Sequence, residues 1–250
     1  MGHKTSPFAF RLGFLSLWPF EWCSNNYSEV SSKNILIFNY LKRILYENNI
    51  ILGDFAVSFK FGKVFVNLTY YQLEIKNLSY KSKQVGLQSS FPLYYRKKKH
   101  YYQKGTIWEE IHSFLQYEYN ITVDLKFYNR LNIFDHVNFI SGYLRFKIES
   151  SFFSKIYLIQ LCNEFNMLNN LIIYSGFYKS NCFVLQGLKI LCFGRLIGLQ
   201  NKISVVEHIA SGPMPLQSKN QLILSSFETA NTKHGLCGIK VYLYYKCLGE

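Results

Sequence analysis

Acidic residues are scarce in this chain. Its 250 residues include 15 Asp and Glu against 28 Lys and Arg, so the formal net charge is +13 at pH 7. Residues 76–104 hold eight of the basic residues and no acidic one. A charge of this size favours a polyanionic partner, either a nucleic acid or an anionic membrane surface, and composition does not choose between the two.

Long apolar runs are also missing. No uninterrupted apolar stretch approaches the roughly 20 residues that span a bilayer, so the membrane alternative loses ground. Gly2 and Ser6 fit an N-myristoylation pattern, but no second membrane signal follows them. The N-terminus has neither a secretory apolar core nor an Arg-rich transit helix, so we expect no import leader. A nucleic acid is therefore the expected partner.

Metal-binding and catalytic patterns are absent from the sequence. The six cysteines form no Cys-x-x-Cys pair and have no histidine at zinc spacing, so we interpret them as reduced, mostly buried thiols. A disulfide framework is the alternative. The chain also lacks a Gly-x-x-x-x-Gly-Lys-Ser/Thr loop, a Gly-x-Ser-x-Gly elbow and a His-Glu-x-x-His helix. We expect no enzymatic activity, no cofactor and no metal.

Aromatic residues, in contrast, are abundant. The chain has 20 Tyr and 22 Phe, and 49% of its residues are hydrophobic, enough for a sizeable core in one or two domains. Phe, Tyr, Asn, Ile and Lys have codons rich in A and T. This usage is typical of an AT-rich coding sequence, as in an organelle genome.

Two stretches near the C-terminal end place basic residues on strands. Apolar and polar residues alternate along 187–194 and 238–244, which predicts two half-buried strands of one sheet. Lys189 and Lys240 alternate outward from these strands. Arg195 follows in a Gly-Arg-x-x-Gly turn, where the backbone can approach a phosphate. None of the three has an acidic neighbour in sequence, so we predict that they contact phosphates.

These motifs resemble the universal small-subunit ribosomal protein S-three family. The resemblance rests on Gly-Ile-Lys-Val-Tyr-Leu at 238–243, Gly-Leu-Lys-Ile-x-x-x-Gly-Arg-Leu-x-Gly at 187–198, Gly-x-x-Pro-Leu at 212–216, and an opening Met-Gly-His-Lys-Thr-x-Pro-x-x-Phe-Arg-Leu-Gly at 1–13. The four motifs stand in the family's order and at roughly its spacing. The resemblance is specific over 1–22 and 187–246, and it extends less strongly over 34–75 and 105–165.

The resemblance implies an α+β fold with a divergent type II KH domain, followed by a C-terminal α/β domain with a mixed or antiparallel sheet. The residue pattern agrees, since it predicts a helix over 34–49, a hairpin over 54–70, a helix over 107–117 and a strand over 121–127. We therefore expect an extended arm over 1–32, a KH-like domain over 33–130 with a basic insertion at 76–104, and a C-terminal domain over 131–250 with an insertion at 166–183.

The RNA-binding loop of a KH module is altered in this sequence. The module touches phosphates through a Gly-x-x-Gly loop before its second helix. The equivalent position is Tyr-Gln-Lys-Gly at 102–105, where the first glycine is replaced by Tyr102. We expect this domain to be structural, with Lys104 and a stacking tyrosine as the alternative RNA contacts.

Basic residues outside the strands are further candidates for RNA contact. In the arm, Lys4 and Arg11 lie among prolines and aromatic residues, as in tails that follow rRNA grooves, and a disordered terminus is the alternative. In the insertion at 76–104, tyrosines alternate with basic residues, as expected for contact with single-stranded RNA. A solvated loop that binds nothing is the other interpretation. The candidate residues here are Arg96, Lys97, Lys98, Lys99 and Lys104.

The expected function follows from charge, motifs and resemblance together. We expect a structural constituent of the small ribosomal subunit that binds rRNA in the head, near the site where messenger RNA enters. The partners would be rRNA, neighbouring head proteins and messenger RNA. The family's messenger-facing helix is rich in basic residues, but only Arg145, Lys147 and Lys155 remain here. A mitochondrial location is expected, with a plastid as the alternative. A free KH-type RNA-binding regulatory factor in an organelle is the competing function.

Overall fold

The structure is a computed structural model of the chain, and it has two sheets. It describes residues 5–13, 20–21, 26–60, 63–73, 97–120, 122–150, 155–168, 173–174, 183–196, 204–233 and 235–247. The fold is α+β, as expected from the sequence. One sheet is mixed and the other is antiparallel throughout its described pairings.

The first sheet is built from the N-terminal half of the chain. Its elements are α1 (Pro7–Arg11), β1 (Phe20–Glu21), α2 (Tyr27–Glu47), β2 (Ile50–Lys60), β3 (Lys63–Gln72), α3 (Lys97–Tyr119) and β4 (Val123–Asn129), of which α1 lies apart from the sheet. The strand order is β1-β2-β3-β4. The β2–β3 hairpin is antiparallel, whereas β1 pairs with β2 and β4 with β3 in parallel. The predicted hairpin is therefore present.

Helices α2 and α3 form the first hydrophobic core against this sheet. Buried residues recur at helical spacing on α2, at Ile37, Leu41 and Leu45, and Ile111 and Leu115 do the same on α3. The strands contribute alternate residues, as a sheet with one buried face requires. Those residues include Val57, Val64, Val66, Leu68 and Val123.

The second sheet is built from the C-terminal half. After a short 3-10 turn (Ile133–Asp135) come α4 (Val137–Glu149), α5 (Lys155–Leu168), β5 (Ile173–Tyr174), β6 (Phe183–Gly194), β7 (Val205–Ser211), β8 (Leu222–Thr232) and β9 (Gly235–Cys247). Strand β9 is central, because it pairs with β6 on one side and β8 on the other. Strands β5 and β7 pair with different parts of β6.

A second hydrophobic core lies between this sheet and helices α4 and α5. Every second residue of β6 and β9 points into it. These residues include Leu188, Ile190, Cys192, Ile239, Val241 and Leu243, each at most 1% exposed. From the helices come Ile140, Leu144, Leu158, Leu161 and Phe165. The alternation expected over 187–194 and 238–244 is therefore confirmed.

Helix α4 also packs on the first sheet, so the two halves are in contact. Phe139 is buried with Ile51 and Leu73 of the first half. A Cβ atom on Gly142 would lie 2.6 Å from Ile51 Cγ2, so only glycine lets the helix approach this closely. Asn138 Nδ2 donates a 2.9 Å hydrogen bond to the Gly53 carbonyl, and His136 Nε2 lies 2.7 Å from Asp54 Oδ1. The contact is both apolar and polar.

Several sequence predictions need correction at the level of the elements. Helix α2 begins at Tyr27 rather than near residue 34, and α1 lies within the arm that was expected to be irregular. Residues 102–105, predicted as a loop, lie inside α3. Lys and Gln are good helix formers, and the single Gly105 costs about 1 kcal/mol, which the buried residues farther along α3 can offset. The last eight residues of the 76–104 insertion are thus helical.

The insertion at 166–183 also contains regular structure. Its first three residues complete α5, β5 pairs with the start of β6, and Phe183 opens β6 itself. The predictions for residues 76–96, and for the remainder of 166–183, fall mostly outside the described residues.

Candidate nucleic-acid interface

The second sheet has one face turned away from α4 and α5, which we call the outer face. The strand register determines its residues. They are Val206, His208 and Ala210 of β7, Lys189, Leu191 and Phe193 of β6, Gly238, Lys240 and Tyr242 of β9, and Ser225, Phe227 and Thr229 of β8. None of these twelve residues is acidic. Lys189 lies opposite Tyr242, and Lys240 lies opposite Leu191 and Phe227.

The carboxylates of these strands are on the other side of the sheet. Glu207 forms an ion pair with Lys155 of α5, in which Oε2 lies 3.0 Å from Nζ. Glu228 is bonded to Lys42 of α2 at 2.6 Å and lies 3.6 Å from Arg145 of α4. Both carboxylates are therefore neutralised by helices behind the sheet. Among the described residues of these strands, no carboxylate lies on the same side as the two lysines of the outer face, so these lysines can attract an external anion.

Two aromatic rings accompany Lys240 on the outer face. Its ammonium lies 5.5 Å from the centroid of Phe193 and 5.6 Å from that of Phe227, within cation–π range. The ring centroids are 6.2 Å apart and their planes differ by 17°. A Cβ on Gly238 would lie 2.2 Å from Cε2 of Phe193, so that ring lies directly over the glycine. Gly238 thus provides the space in which the two rings approach each other.

The predicted strand residues come together as expected from their spacing. Lys189 and Lys240 occupy the same face on adjacent strands. Arg195 follows the last residue of β6, Gly194, whose φ of +131° turns the backbone there. The carbonyl of Arg195 accepts a 3.3 Å hydrogen bond from Cys237 Sγ, which fixes its main chain beside β9. Whether these residues contact phosphate remains a prediction.

Arg11 has a different role from the one predicted. It is only 1% exposed, and its guanidinium donates to five main-chain carbonyls. Their residues are Pro7, Pro215, Leu216, Ser218 and Gln221, at 2.6–3.2 Å. Burial lowers the pKa of this group. A guanidinium with this many carbonyl partners is not available to RNA, so the predicted phosphate contact at Arg11 is wrong. It instead ties the arm to the loop before β8.

The basic residues of the expected messenger-facing helices also have partners within the chain. Arg145 bonds to Glu149 at 3.0 Å and lies 4.3 Å above the ring of Tyr46. Lys147 lies 5.3 Å from the ring centroids of Tyr143 and Tyr157. Lys155 pairs with Glu207, as described above. These contacts leave less positive charge for messenger RNA than their sequence positions alone suggest.

The remaining candidate residues are placed only in part. Lys97, Lys98, Lys99 and Lys104 lie along the first third of α3. Lys4 and Arg96 are outside the described residues. The sequence also gave no candidates on β8, although Ser225, Phe227 and Thr229 alternate with inward residues there. That alternation was the signal that could have identified Phe227.

An open cleft of about 840 Å³ lies between α3 and β4 in the first half. Its lining includes Trp108, His112 and Phe127, but also Glu109, Asp124 and Lys126. Acidic and basic groups are mixed here, so this cleft is less suited to a polyanion than the outer face.

Two other kinds of site are missing from the described part of the chain. No cluster of three or more His, Cys, Asp or Glu side chains within that part could hold a metal ion. No helix there is long and apolar enough to cross a membrane. The free cysteines Cys162, Cys192 and Cys237 are buried, as predicted for reduced thiols.

The fold and the outer face together define a two-sheet α+β protein with a basic, aromatic surface suited to nucleic acid. Comparison with known proteins shows which named proteins this chain resembles. The chain is similar to small ribosomal subunit protein uS3 of Lawsonia intracellularis, with 22% identity over 98% of this chain and 95% of that protein. Proteins of the same name from Clostridium botulinum strains are 39–40% identical over 59–60 residues, about a quarter of each chain. No protein-family model matches the chain. The resemblance to the S-three family is thus confirmed by relatives that all bear this name.

Proposed function

We propose that this chain is a structural constituent of the small ribosomal subunit and binds small-subunit rRNA through the outer face. The observation that carries the proposal is the separation of charge across the second sheet. Lys189 and Lys240 lie on a face whose described strand residues include no acidic one, while Glu207 and Glu228 are paired behind it. Release of counterions from RNA phosphates would then drive binding.

The relatives support the ribosomal part of this proposal. The similarity to the Lawsonia protein extends over nearly the whole of both chains, so it covers both sheets and not only one motif. The name of these relatives assigns them to the small ribosomal subunit. A structural role also agrees with the outer face, which is one side of a sheet carrying Lys189 and Lys240 rather than an enclosed pocket.

We further propose the domain division expected from the sequence, with an arm over 1–32, a KH-like module over 33–130 and a C-terminal domain over 131–250. The order α2, β2, β3, α3, β4 is the one expected for the KH-like module. Residues 102–105 are helical and do not form the phosphate-binding loop of a KH module. We therefore assign this module a structural role. The domain limits fall between elements, apart from the start of α2 at Tyr27.

The subunit position and the compartment belong to the same proposal. We place the chain in the head of the subunit, near the site where messenger RNA enters, with head proteins and messenger RNA as neighbours. The internal partners of Arg145, Lys147 and Lys155 favour a weaker contact with messenger RNA than the family's basic helix would make. The Phe, Tyr, Asn, Ile and Lys usage favours a mitochondrial ribosome, with a plastid ribosome as the alternative.

The test combines sedimentation with a salt titration. The full chain should sediment with small subunits at a salt concentration that removes adventitious RNA binders. Lys240→Gln should weaken binding to small-subunit rRNA and reduce the slope of log affinity against log salt by about 0.7 to 0.9, the loss of one phosphate contact. The control is Lys33→Gln on α2, because Lys33 is already paired with Glu29 at 2.8 Å.

Two outcomes would contradict the proposal. Recovery of the chain only with membranes, or only as free protein, would exclude a stable subunit component. A free RNA-binding factor would bind RNA without sedimenting with subunits. If wild type and a folded Lys240→Gln variant had equal salt slopes, the outer face would not be the RNA-binding surface.

A further inference from the structure

The outer face carries an exposed apolar strip beside its lysines. Val206 on β7 lies opposite Phe193 on β6, and the ring of Phe193 extends over Gly238 on β9 towards Phe227 on β8. The strip therefore crosses four strands. Val206 is 66% exposed and Phe227 is 56% exposed. Exposed apolar surface gathered in this way marks a contact with another molecule.

The chemistry of the strip narrows the class of that molecule. It combines flat aromatic rings with the ammonium of Lys240, which lies close to both of them. A protein partner that covered Lys240 would have to supply a carboxylate beside an apolar patch. A nucleotide supplies both requirements in one unit, since its base has an apolar π-face and its phosphate is joined to it through a single sugar. Stacking of bases on aromatic side chains beside a basic groove is how single strands are commonly held.

We propose that Phe227, supported by Phe193, stacks on an unpaired nucleobase of the bound RNA while Lys240 contacts that nucleotide's phosphate. This inference rests on the proposed rRNA-binding function of the outer face and names the feature recognised there. Unpaired bases are required, because a base inside a helix has no exposed π-face to offer. Gly238 is a positioning residue for this site, since its missing side chain allows the ring of Phe193 to lie beside Phe227.

The experiment compares two probes with the same backbone charge. One is a short single-stranded oligoadenylate, and the other is an oligomer of the same length whose nucleotides lack bases. Wild-type full-length protein should bind the oligoadenylate more tightly. Phe227→Leu keeps an apolar residue on the strand but removes the ring, and it should reduce the preference for bases by about tenfold. Binding of the abasic probe should not change.

Two further variants make the result specific. Lys240→Gln should weaken binding of both probes by about the same factor, because both probes carry the phosphate that Lys240 contacts. Tyr117→Leu removes an aromatic residue that is more exposed, on α3 of the other half, and should leave the preference for bases intact. The far-ultraviolet circular dichroism and the thermal midpoint of each variant check that it is folded.

The outcomes separate the two proposals. If Lys240→Gln weakens both probes but Phe227→Leu retains the full preference for bases, the stacking site is wrong and RNA binding by the face stands. If Lys240→Gln changes neither probe, RNA binding by the face is wrong as well. If Phe227→Leu leaves both probes unaffected but prevents the chain from joining small subunits, the strip is a protein contact and the stacking proposal is overturned.

Discussion

Arg11 and Gln221 are 210 positions apart in the sequence, yet Arg11 Nε donates a 2.6 Å hydrogen bond to the Gln221 carbonyl. The other guanidinium nitrogens bond to carbonyls of Pro7, Pro215, Leu216 and Ser218. Five carbonyls on two separate segments thus converge on one planar cation. The N-terminal arm is attached to the second sheet by its most buried charged side chain.

Arg11→Lys tests this attachment while preserving the charge. A lysine ammonium has three N–H donors on one nitrogen, whereas a guanidinium has five donors spread over three nitrogens in a plane. Lysine therefore cannot donate to all five carbonyls around the guanidinium. We expect the free energy of unfolding to fall by about 2 kcal/mol, as measured by chemical denaturation. Arg43→Lys on α2, where the arginine is exposed and paired with Glu47, should change it by less than about 0.5 kcal/mol. Equal effects at the two positions would contradict this role for Arg11.

Gly238→Ala should displace the ring of Phe193, because the added Cβ would overlap Cε2 of that ring. Overpacking of this kind costs about 1–3 kcal/mol of stability. The variant should also lose the preference for base-bearing over abasic RNA. The double variant Gly238→Ala, Phe193→Leu should recover part of the lost stability, since a smaller side chain leaves room for the methyl group. If the double variant recovered no stability, the added methyl group would clash with a group other than the Phe193 ring.

Arg145→Met should loosen the contact between the two halves of the chain. Arg145 of α4 bonds to Glu149 and lies beside Glu228 and the ring of Tyr46 on α2. Because these groups are partly exposed, we expect a loss of about 1–3 kcal/mol rather than the larger loss of a fully buried pair. Denaturation of Arg145→Met, of Glu228→Gln and of both together should give non-additive changes. Additive changes would show that the two residues act independently.

The thiol of Cys192 should be unreactive in the folded protein. Burial, with smaller contributions from Cys237 and Glu207, raises its pKa to about 12. Alkylation at pH 8 should therefore require unfolding, because the thiolate is the reactive form. The folded state holds this proton more tightly than the unfolded state, so its contribution to stability should decline as pH rises from about 9 towards 12. Cys192→Ala should flatten the alkaline part of a stability–pH profile, and an unchanged slope would contradict the assignment.

The basic segment before α3 can be tested without disturbing the helix. Residues 76–96 carry four of the 28 basic residues and no acidic one, so replacing them by a glycine–serine linker of equal length lowers the net charge from +13 to +9. If the segment contacts rRNA, affinity should fall steeply at low salt and much less at high salt. If it lies near messenger RNA, crosslinks to Tyr94 and Tyr95 should disappear while rRNA affinity persists. If neither property changes, the segment has no role in RNA contact.

The sequence predicted those parts of the fold that depend on local periodicity. The alternation around Lys189 and Lys240 was enough to place both on one face, because side chains of a strand repeat every two residues. The position of Arg11 was not predictable in this way. Four of its five carbonyl partners lie more than 200 positions away. A basic residue in a proline-rich arm has the same local pattern whether it contacts carbonyls or phosphates. The motif at 102–105 resembles a degenerate KH loop, but the helix-forming residues around it continue α3 through these positions.

The central position of β9 has a consequence for the order in which the second half can form. During synthesis, β6, β7 and β8 emerge before residues 235–247, and until then β6 and β8 have no strand between them. The backbone hydrogen-bonding groups of β6 and β8 that face β9 must remain solvated or find other partners until then, and the apolar residues that pack on α4 and α5 stay exposed. The first sheet depends on no later strand and can fold while the chain is still being made. A nascent chain would thus hold a folded first sheet beside an outer face that is completed late, when β9 inserts between β6 and β8.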